Sequence, residues 1–130
     1  MADAYLIDGV RSPFGRHAGV LASIRPDELI AQTIAALLAR HPAAAERVED
    51  VVLGCTNQAG EDSRNVARFA ALLAGLPERV GGVTVNRLCA SGLQSAVDTA
   101  RAIRTDEGEL YVAGGVESMT RAPFALAKNA

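Results

Sequence analysis

The chain has 130 residues, of which 49% are hydrophobic and 22% are charged, proportions typical of a globular domain. Its net charge of −2 gives no indication of a surface for nucleic acid or for an anionic membrane. The sequence shows neither an apolar stretch of membrane-spanning length nor a signal peptide, so we predict a soluble, cytoplasmic protein.

The N-terminal part predicts a strand, a loop and a helix. Residues 4–10 read as a strand, and the turn-rich residues 11–15 follow it. Pro26 suits the first position of a helix, and the two acidic residues behind it favour a helix N-terminus. We expect this helix to end at Arg40, because His41 precedes Pro42 and a residue before a proline disfavours the helical backbone conformation.

A second strand and a second helix follow. Residues 51–55 form a short apolar strand, and residues 56–64 are polar and contain glycine, which predicts a loop. Asn65 is a good N-cap for the next helix. Gly75 and Pro77 predict its end.

A third strand at residues 83–87 leads into a helix whose first turns carry small residues. The stripe that we expect this helix to bury consists of Leu93, Ala96, Val97, Ala100 and Ile103. Because it carries few charges, we expect it to be more buried than the helix that begins at Pro26. A fourth strand at residues 110–113 runs into Gly114 and Gly115.

The predicted order of elements is β-α-β-α-β-α-β. Each helix is long enough to cross over a sheet, so a mostly parallel sheet with right-handed connections is favoured. The strands lack clean alternation, which is typical of a sheet covered on both faces. We therefore predict an α/β fold. The residues after Gly115 supply no strand that completes the sheet, so we expect the chain to be a fragment of a longer protein.

Cys89 is the strongest candidate for a chemical role, because it lies where a strand ends and a helix begins. The dipole and the unpaired N–H groups of a helix N-terminus favour the thiolate, which is the nucleophilic form of cysteine. The same N–H groups can hold a developing oxyanion. Such junctions in parallel sheets are common places for sites. The alternative is a cysteine that only packs.

The other reactive residues favour structural roles. Cys55 closes a strand, which predicts packing. His17 lies in a polar loop and His41 at a helix end, so we expect both at the surface. The two cysteines and two histidines form no zinc motif, and no metal site is predicted. Glu117 is isolated among small residues, which predicts a structural clamp held by hydrogen bonds.

Several runs of residues resemble the thiolase family. Residues 85–92 (VNRLCASG) resemble its nucleophile motif, residues 114–120 (GGVESMT) its second N-terminal signature, and residues 8–15 (DGVRSPFG) its first strand and loop. Residues 54–68 (GCTNQAGEDSRNVAR) are most similar to the branch that acts on 3-oxoadipyl-CoA, also called β-ketoadipyl-CoA. The resemblance covers residues 1–130 as part of the family's N-terminal domain.

The resemblance implies a layered α/β enzyme with two similar halves. Cys89 would attack the 3-keto carbon of a 3-oxoacyl-CoA, release acetyl-CoA and keep the shortened acyl group as a thioester until a second coenzyme A removes it. Coenzyme A is then a substrate, and no covalently bound cofactor is implied. Asn86, Ser91 and Gly92 would support the loop of the nucleophile. The full-length enzyme would be a homodimer or a homotetramer.

The family's activating histidine, its second cysteine and its oxyanion-site residue lie in the second half of its chain, as does the loop region that holds most of coenzyme A. We therefore expect the 130-residue chain to be inactive alone. Three alternatives stay open: a thiolase for acetoacetyl-CoA or longer 3-oxoacyl-CoA, a condensing enzyme of the ketoacyl synthase type, and a non-catalytic α/β interaction module in which Cys89 belongs to the core.

Overall fold

The computed structural model describes residues 3–61 and 64–128, so Asp62 and Ser63 of the predicted loop lie outside the described residues. The described helices and strands are α1 (Pro26–Arg40), β1 (Asp50–Gly54), α2 (Val66–Leu73), β2 (Gly81–Val85), α3 (Ser91–Arg104) and β3 (Tyr111–Gly115). A short 3-10 helix at Pro42–Ala44 follows α1. None of the described helices is long and apolar enough to cross a membrane.

The three strands form a parallel sheet in the order β2-β1-β3. At its C-terminal edge, Gly54 of β1 lies opposite Val85 of β2 and Gly115 of β3. The predicted α/β class with a mostly parallel sheet is confirmed. The register brings the loops that follow all three strands to one edge of the sheet.

Helices cover both faces of this sheet. Val51 and Leu53 of β1 are fully buried in the main core together with side chains of α1 and α2, such as Ile34 and Val66. Successive side chains of a strand point to opposite faces, so the other face of β1 meets α3. On that face, a Cβ built on Gly54 would lie 2.2 Å from the carbonyl carbon of Ser91 in α3.

The predicted strand at residues 4–10 does not form. In the described part of the chain no strand pairs with this segment, and Leu6 and Ile7 are 94% and 73% exposed. A strand needs a neighbour for its N–H and C=O groups, and β propensity alone does not supply one. Side chains hold the segment instead, since Asp8 pairs with His41 at 2.6 Å and with Arg40 at 3.1 Å.

The predicted strands β2 and β3 exist, but their bounds differ from the prediction. β2 begins at Gly81 rather than at residue 83, and β3 continues to Gly115. Glycine is unfavourable in strands, so the sequence pattern did not predict that β2 starts at Gly81 or that β3 extends to Gly115. At Gly82 the reason for glycine is space, because a Cβ there would lie 2.5 Å from the backbone nitrogen of Arg68 in α2.

The buried face of α3 is not the predicted one. Its buried residues are Ser91, Ser95 and Thr99, whereas Leu93 is 70% exposed. The prediction that α3 is more buried than α1 is also wrong in the described structure, because α1 buries five residues, including Ile30 and Ile34. The strands beneath α3 end in glycines. The small side chains of Ser91, Ser95 and Thr99 allow the backbone of α3 to lie closer to these strands than larger apolar side chains would.

Candidate functional site

Cys89 lies in the turn between Val85, the last residue of β2, and Ser91, the first residue of α3. Its side chain is exposed at the C-terminal edge of the parallel sheet. Among the described side chains none caps α3, whose N-cap residue is Ala90. The thiol therefore stands beside the positive end of a helix dipole, as the sequence pattern indicates.

Small residues fix the position of this helix end. Gly54 of β1 has no Cβ, which leaves room for the backbone of Ser91. The hydroxyl of Ser95 lies 2.8 Å from the carbonyl oxygen of Gly114 and 2.7 Å from that of Gly92. A Cβ on Gly115 would lie 3.3 Å from the Cα of Gly92. The first turn of α3 thus packs directly against the C-terminal ends of β1 and β3.

The turn that carries Cys89 is closed by two side chains. Asn86 Oδ1 accepts a hydrogen bond of 3.0 Å from the backbone N–H of Leu88. Ser91 Oγ accepts one of 2.8 Å from the N–H of Arg87 and donates one of 2.6 Å to the carbonyl of Leu88. Leu88 has a φ of 51°, a left-handed conformation that costs a leucine about 1–2 kcal/mol. The hydrogen bonds hold this strained residue next to the thiol.

Glu117, which follows β3, is connected to the loop after β1. Although the residue is exposed, its carboxylate accepts hydrogen bonds from the N–H and hydroxyl of Thr56 at 2.8 and 2.5 Å. It also accepts bonds from the N–H and side-chain amide of Asn57 at 3.0 and 2.9 Å. Desolvation raises the pKa of Glu117, but the hydrogen bonds from Thr56 and Asn57 outweigh it, so the pKa is lowered overall.

The same loop reaches the turn that carries the thiol. Asn86 Nδ2 donates a hydrogen bond of 3.3 Å to the carbonyl of Thr56. Neither Thr56 nor Asn57 is among the site residues predicted from the sequence. A signal for both existed, because polar residues that directly follow a buried strand collect at the C-terminal edge of a parallel sheet.

Of the remaining candidates, Cys55 borders this arrangement, since its Sγ also lies 4.0 Å from Oε1 of Glu117, whereas the two histidines lie apart from it. Cys55 is 2% exposed, and its Sγ lies 3.4 Å from the carbonyl oxygen of Asn57. His41 pairs with Asp8 at the end of α1, and His17 is exposed. Among the described residues, no group of three or more histidine, cysteine and acidic side chains is arranged to hold a metal ion. A cleft of about 550 Å³ between residues 8–17, α1 and β3 is not lined by Cys89.

The comparisons with known proteins agree on one family. Residues 4–130 match the family model "Thiolase, N-terminal domain". The whole chain is 56% identical to the 3-oxoadipyl-CoA/3-oxo-5,6-dehydrosuberyl-CoA thiolase of Escherichia coli (strain K12), of which it covers 33%. Over 98% of the chain it is 54% identical to a β-ketoadipyl-CoA thiolase of Pseudomonas putida, of which it covers 32%. The chain therefore spans about a third of the length of the curated relatives that it matches.

Two solved structures are similar. An acetyl-CoA acetyltransferase of Bacillus anthracis gives a TM-score of 0.85 at 39% identity, and the match covers 92% of this chain and 30% of that chain. The Acat5 thiolase of Ascaris suum, solved in complex with coenzyme A, gives a TM-score of 0.92 at 26% identity, and the match covers 99% of this chain and 34% of that chain.

Proposed function

The chain belongs to the thiolase family, and from this premise we propose that it is the N-terminal part of an acyltransferase in which Cys89 carries the acyl group. The observation that carries the proposal is the exposed thiol of Cys89, held in a closed turn at the N-terminus of an uncapped helix. Such a position leaves the thiol accessible to a substrate and offers backbone N–H groups to an oxyanion.

The proposed reaction has two acyl transfers. The Cys89 thiolate attacks the 3-keto carbon of a 3-oxoacyl-CoA, and the bond between C2 and C3 then breaks. Its electron pair stays on C2 of the leaving acetyl-CoA, which takes a proton from a general acid beyond the described residues. The thiolate of a second coenzyme A attacks the thioester on Cys89, releases the shortened acyl-CoA and restores the Cys89 thiolate.

We propose 3-oxoadipyl-CoA as the substrate, with acetyl-CoA and succinyl-CoA as the products. Identities of 53–56% to proteins named for 3-oxoadipyl-CoA or β-ketoadipyl-CoA support this choice. The identity to an acetyl-CoA acetyltransferase is lower, at 39%. Acetoacetyl-CoA and longer 3-oxoacyl-CoA are the alternative substrates.

The isolated chain is proposed to be inactive. The activating histidine, the second cysteine and the oxyanion-site residue of the family belong to a part of the enzyme that follows residue 130. Two observations support a further layer of structure over the site. Leu88 and Leu93, on either side of Cys89, are 71% and 70% exposed, and the chain spans only about a third of its curated relatives.

The full-length enzyme is proposed to be a homodimer or homotetramer in the cytoplasm. Among the described residues, β2 lies at an edge of the sheet directly before the turn with Cys89, and Val83 in this strand is 47% exposed. An unpaired strand edge of this kind can join a second copy. An exposed thiol that must stay reduced suits the cytoplasm.

Thiolysis assays test the proposal. We expect the product of the whole reading frame to cleave 3-oxoadipyl-CoA with a higher kcat/KM than acetoacetyl-CoA, and the 130-residue chain to cleave neither. The variant Cys89→Ala should lose activity by about 1,000-fold or more, whereas the matched variant Cys55→Ala should stay active. Thiolysis by the isolated chain, a reading frame that ends at residue 130, or an active Cys89→Ala variant would each contradict the proposal.

Alkylation separates this proposal from a non-catalytic interaction module. Cys55 is 2% exposed and therefore a poor reference for reactivity. The better reference is a small-molecule thiol treated with iodoacetamide at the same pH. We expect Cys89 of the full-length protein to react faster than this reference, and the substrate to protect it. Slower alkylation without protection would favour the interaction module.

A further inference from the structure

The loops after the three strands are joined by side chains in a definite order. Glu117, which follows β3, holds Thr56 and Asn57, which follow β1. The carbonyl of Thr56 in turn accepts the side-chain amide of Asn86, which follows β2. Asn86 then accepts the N–H of Leu88, the residue before Cys89. The carboxylate is thus connected to the turn of the nucleophile through two intermediate residues.

We propose that Glu117 is a positioning residue for Cys89, acting through Thr56 and Asn86 to hold the left-handed turn at Leu88. The proposal rests on the proposed function for the chemistry of Cys89. It goes beyond a structural clamp, because it assigns the clamp a consequence at the thiol.

Each contact in this series has a directional requirement. Oε2 of Glu117 faces two donors of Thr56, and Oε1 faces two donors of Asn57. Only a carboxylate accepts on both oxygens; an amide presents N–H groups on one side and meets backbone N–H groups there. Replacement of Glu117 by glutamine therefore turns one side of the cluster from attraction to repulsion, which displaces the carbonyl of Thr56 and the amide of Asn86.

The displacement of Thr56 and Asn86 would affect the thiol through Leu88, the strained residue that precedes Cys89. Leu88 has a φ of 51°, which a leucine adopts only when its surroundings hold it there. If the amide of Asn86 moves, the N–H of Leu88 loses its acceptor, and the turn relaxes toward negative φ. A misplacement of a reacting group by about 1 Å can cost up to about 100-fold in rate.

The test uses the full-length protein and the alkylation of Cys89 by iodoacetamide. We expect Glu117→Gln to slow alkylation by about 10-fold and to lower kcat by about 10- to 100-fold, with KM changed less than about 3-fold. The control is Glu61→Gln, which breaks the ion pair with Arg121 and lies outside the series from Glu117 to Leu88. It should leave the alkylation rate unchanged.

A second substitution distinguishes positioning from stability. Glycine adopts positive φ without strain, so Leu88→Gly combined with Glu117→Gln should recover part of the lost alkylation rate and kcat. Because Leu88→Gly also removes strain and can raise general stability, the free energy of unfolding of each variant is measured in urea, and positioning predicts that the rates are lost and recovered under conditions in which every variant is fully folded. If Glu117→Gln does not fold, Asn86→Ala interrupts the same series one step later, and its loss should also be recovered by Leu88→Gly.

The outcomes are distinct. Wild-type alkylation of Cys89 no faster than that of a small-molecule thiol overturns the proposed function, whatever the variants do. Fast wild-type alkylation together with an unchanged Glu117→Gln variant overturns only the role of Glu117. A loss in Glu117→Gln that Leu88→Gly does not recover, or a comparable loss in Glu61→Gln, shows that Glu117 acts on stability alone and also overturns the positioning role.

Discussion

The hydroxyl of Ser91 donates a hydrogen bond of 2.6 Å to the carbonyl of Leu88, the residue whose φ is 51°. The same hydroxyl accepts the N–H of Arg87 at 2.8 Å. One buried side chain therefore binds the backbone at two points before the thiol and also begins α3. The geometry of the turn and the position of the helix are consequently coupled.

Removal of this hydroxyl should destabilise the fold. Ser91→Ala leaves the N–H of Arg87 without its acceptor, and we expect the free energy of unfolding to fall by about 1–3 kcal/mol in urea denaturation. The matched control is Ser23→Ala at an exposed site, where a change within about 0.5 kcal/mol is expected. Equal stability of the two variants would show that the turn does not depend on Ser91.

Gly54 should tolerate no side chain. A Cβ there would lie 2.2 Å from the carbonyl carbon and 2.4 Å from the next nitrogen of the backbone at the start of α3. Because backbone cannot move aside as a side chain can, we expect Gly54→Ala to cost about 3 kcal/mol or more in thermal or urea unfolding. Gly9→Ala, with no atom within 4 Å of the new Cβ, is the control and should be nearly neutral. A mild effect at Gly54 would contradict the close seating of α3.

Asp27 should make stability depend on acid pH. The hydrogen bonds from Arg25, at 3.0 and 2.8 Å, lower the pKa of this buried carboxyl below its ordinary value of 3.8. The contribution of this carboxylate to the free energy of unfolding is therefore complete above about pH 4 and is lost as pH falls through the lowered pKa. We expect Asp27→Asn to cost about 2 kcal/mol at pH 7.

The pH dependence is the check on this ion pair. The difference between Asp27→Asn and wild type in the free energy of unfolding should shrink as pH falls below 3.8, because the carboxyl of the unfolded chain takes up a proton there before that of the folded protein. The exposed Glu28→Gln is the control at pH 7 and should change stability by less than about 0.5 kcal/mol. A difference that stays constant from pH 7 to pH 3 would mean that the charge of Asp27 is not what stabilises the helix start.

Asn65 should contribute more than an ordinary helix cap. Its Oδ1 accepts the N–H of Arg68 at 3.3 Å, while its Nδ2 donates to the carbonyl of Gly82 in β2 at 2.9 Å. Asn65→Asp keeps the acceptor and loses the donor, whereas Asn65→Ala loses both. We expect costs of about 1 and about 2 kcal/mol respectively in urea denaturation. An Asn65→Asp variant as stable as the wild type would show that the connection to β2 has no effect.

Local sequence signals predicted the helices well. α1 spans Pro26–Arg40 as proline, acidic residues and the following His41-Pro42 indicate. The side chain of Asn65 caps α2, and Gly75 adopts a φ of 82° after its end. Both results depend on interactions within a few residues, which the sequence displays directly.

Features that depend on distant residues were harder to predict. The strand expected at residues 4–10 lacks a described neighbour, and nothing in its own sequence shows this. The buried face of α3 is set by the glycines of β1 and β3, so an apolar stripe that includes Leu93 stays outside. For the site, the resemblance of residues 85–92 to a nucleophile motif singled out Cys89 and the residues that support its loop, and their roles stay a prediction. The link from Glu117 to Thr56 was not predicted, because about sixty residues of chain separate the partners.

The central position of β1 has a consequence for how the protein is made. Asp50 pairs with Gly81 on one side and with Tyr111 on the other, so both partners of β1 leave the ribosome after it. The first unit that can close is β1-α2-β2, and the second side of β1 stays open until β3 has emerged. Non-local pairing of this kind slows folding. The nascent chain therefore exposes the strand edge of β1 throughout the synthesis of α3, and we expect chaperones to bind in this interval.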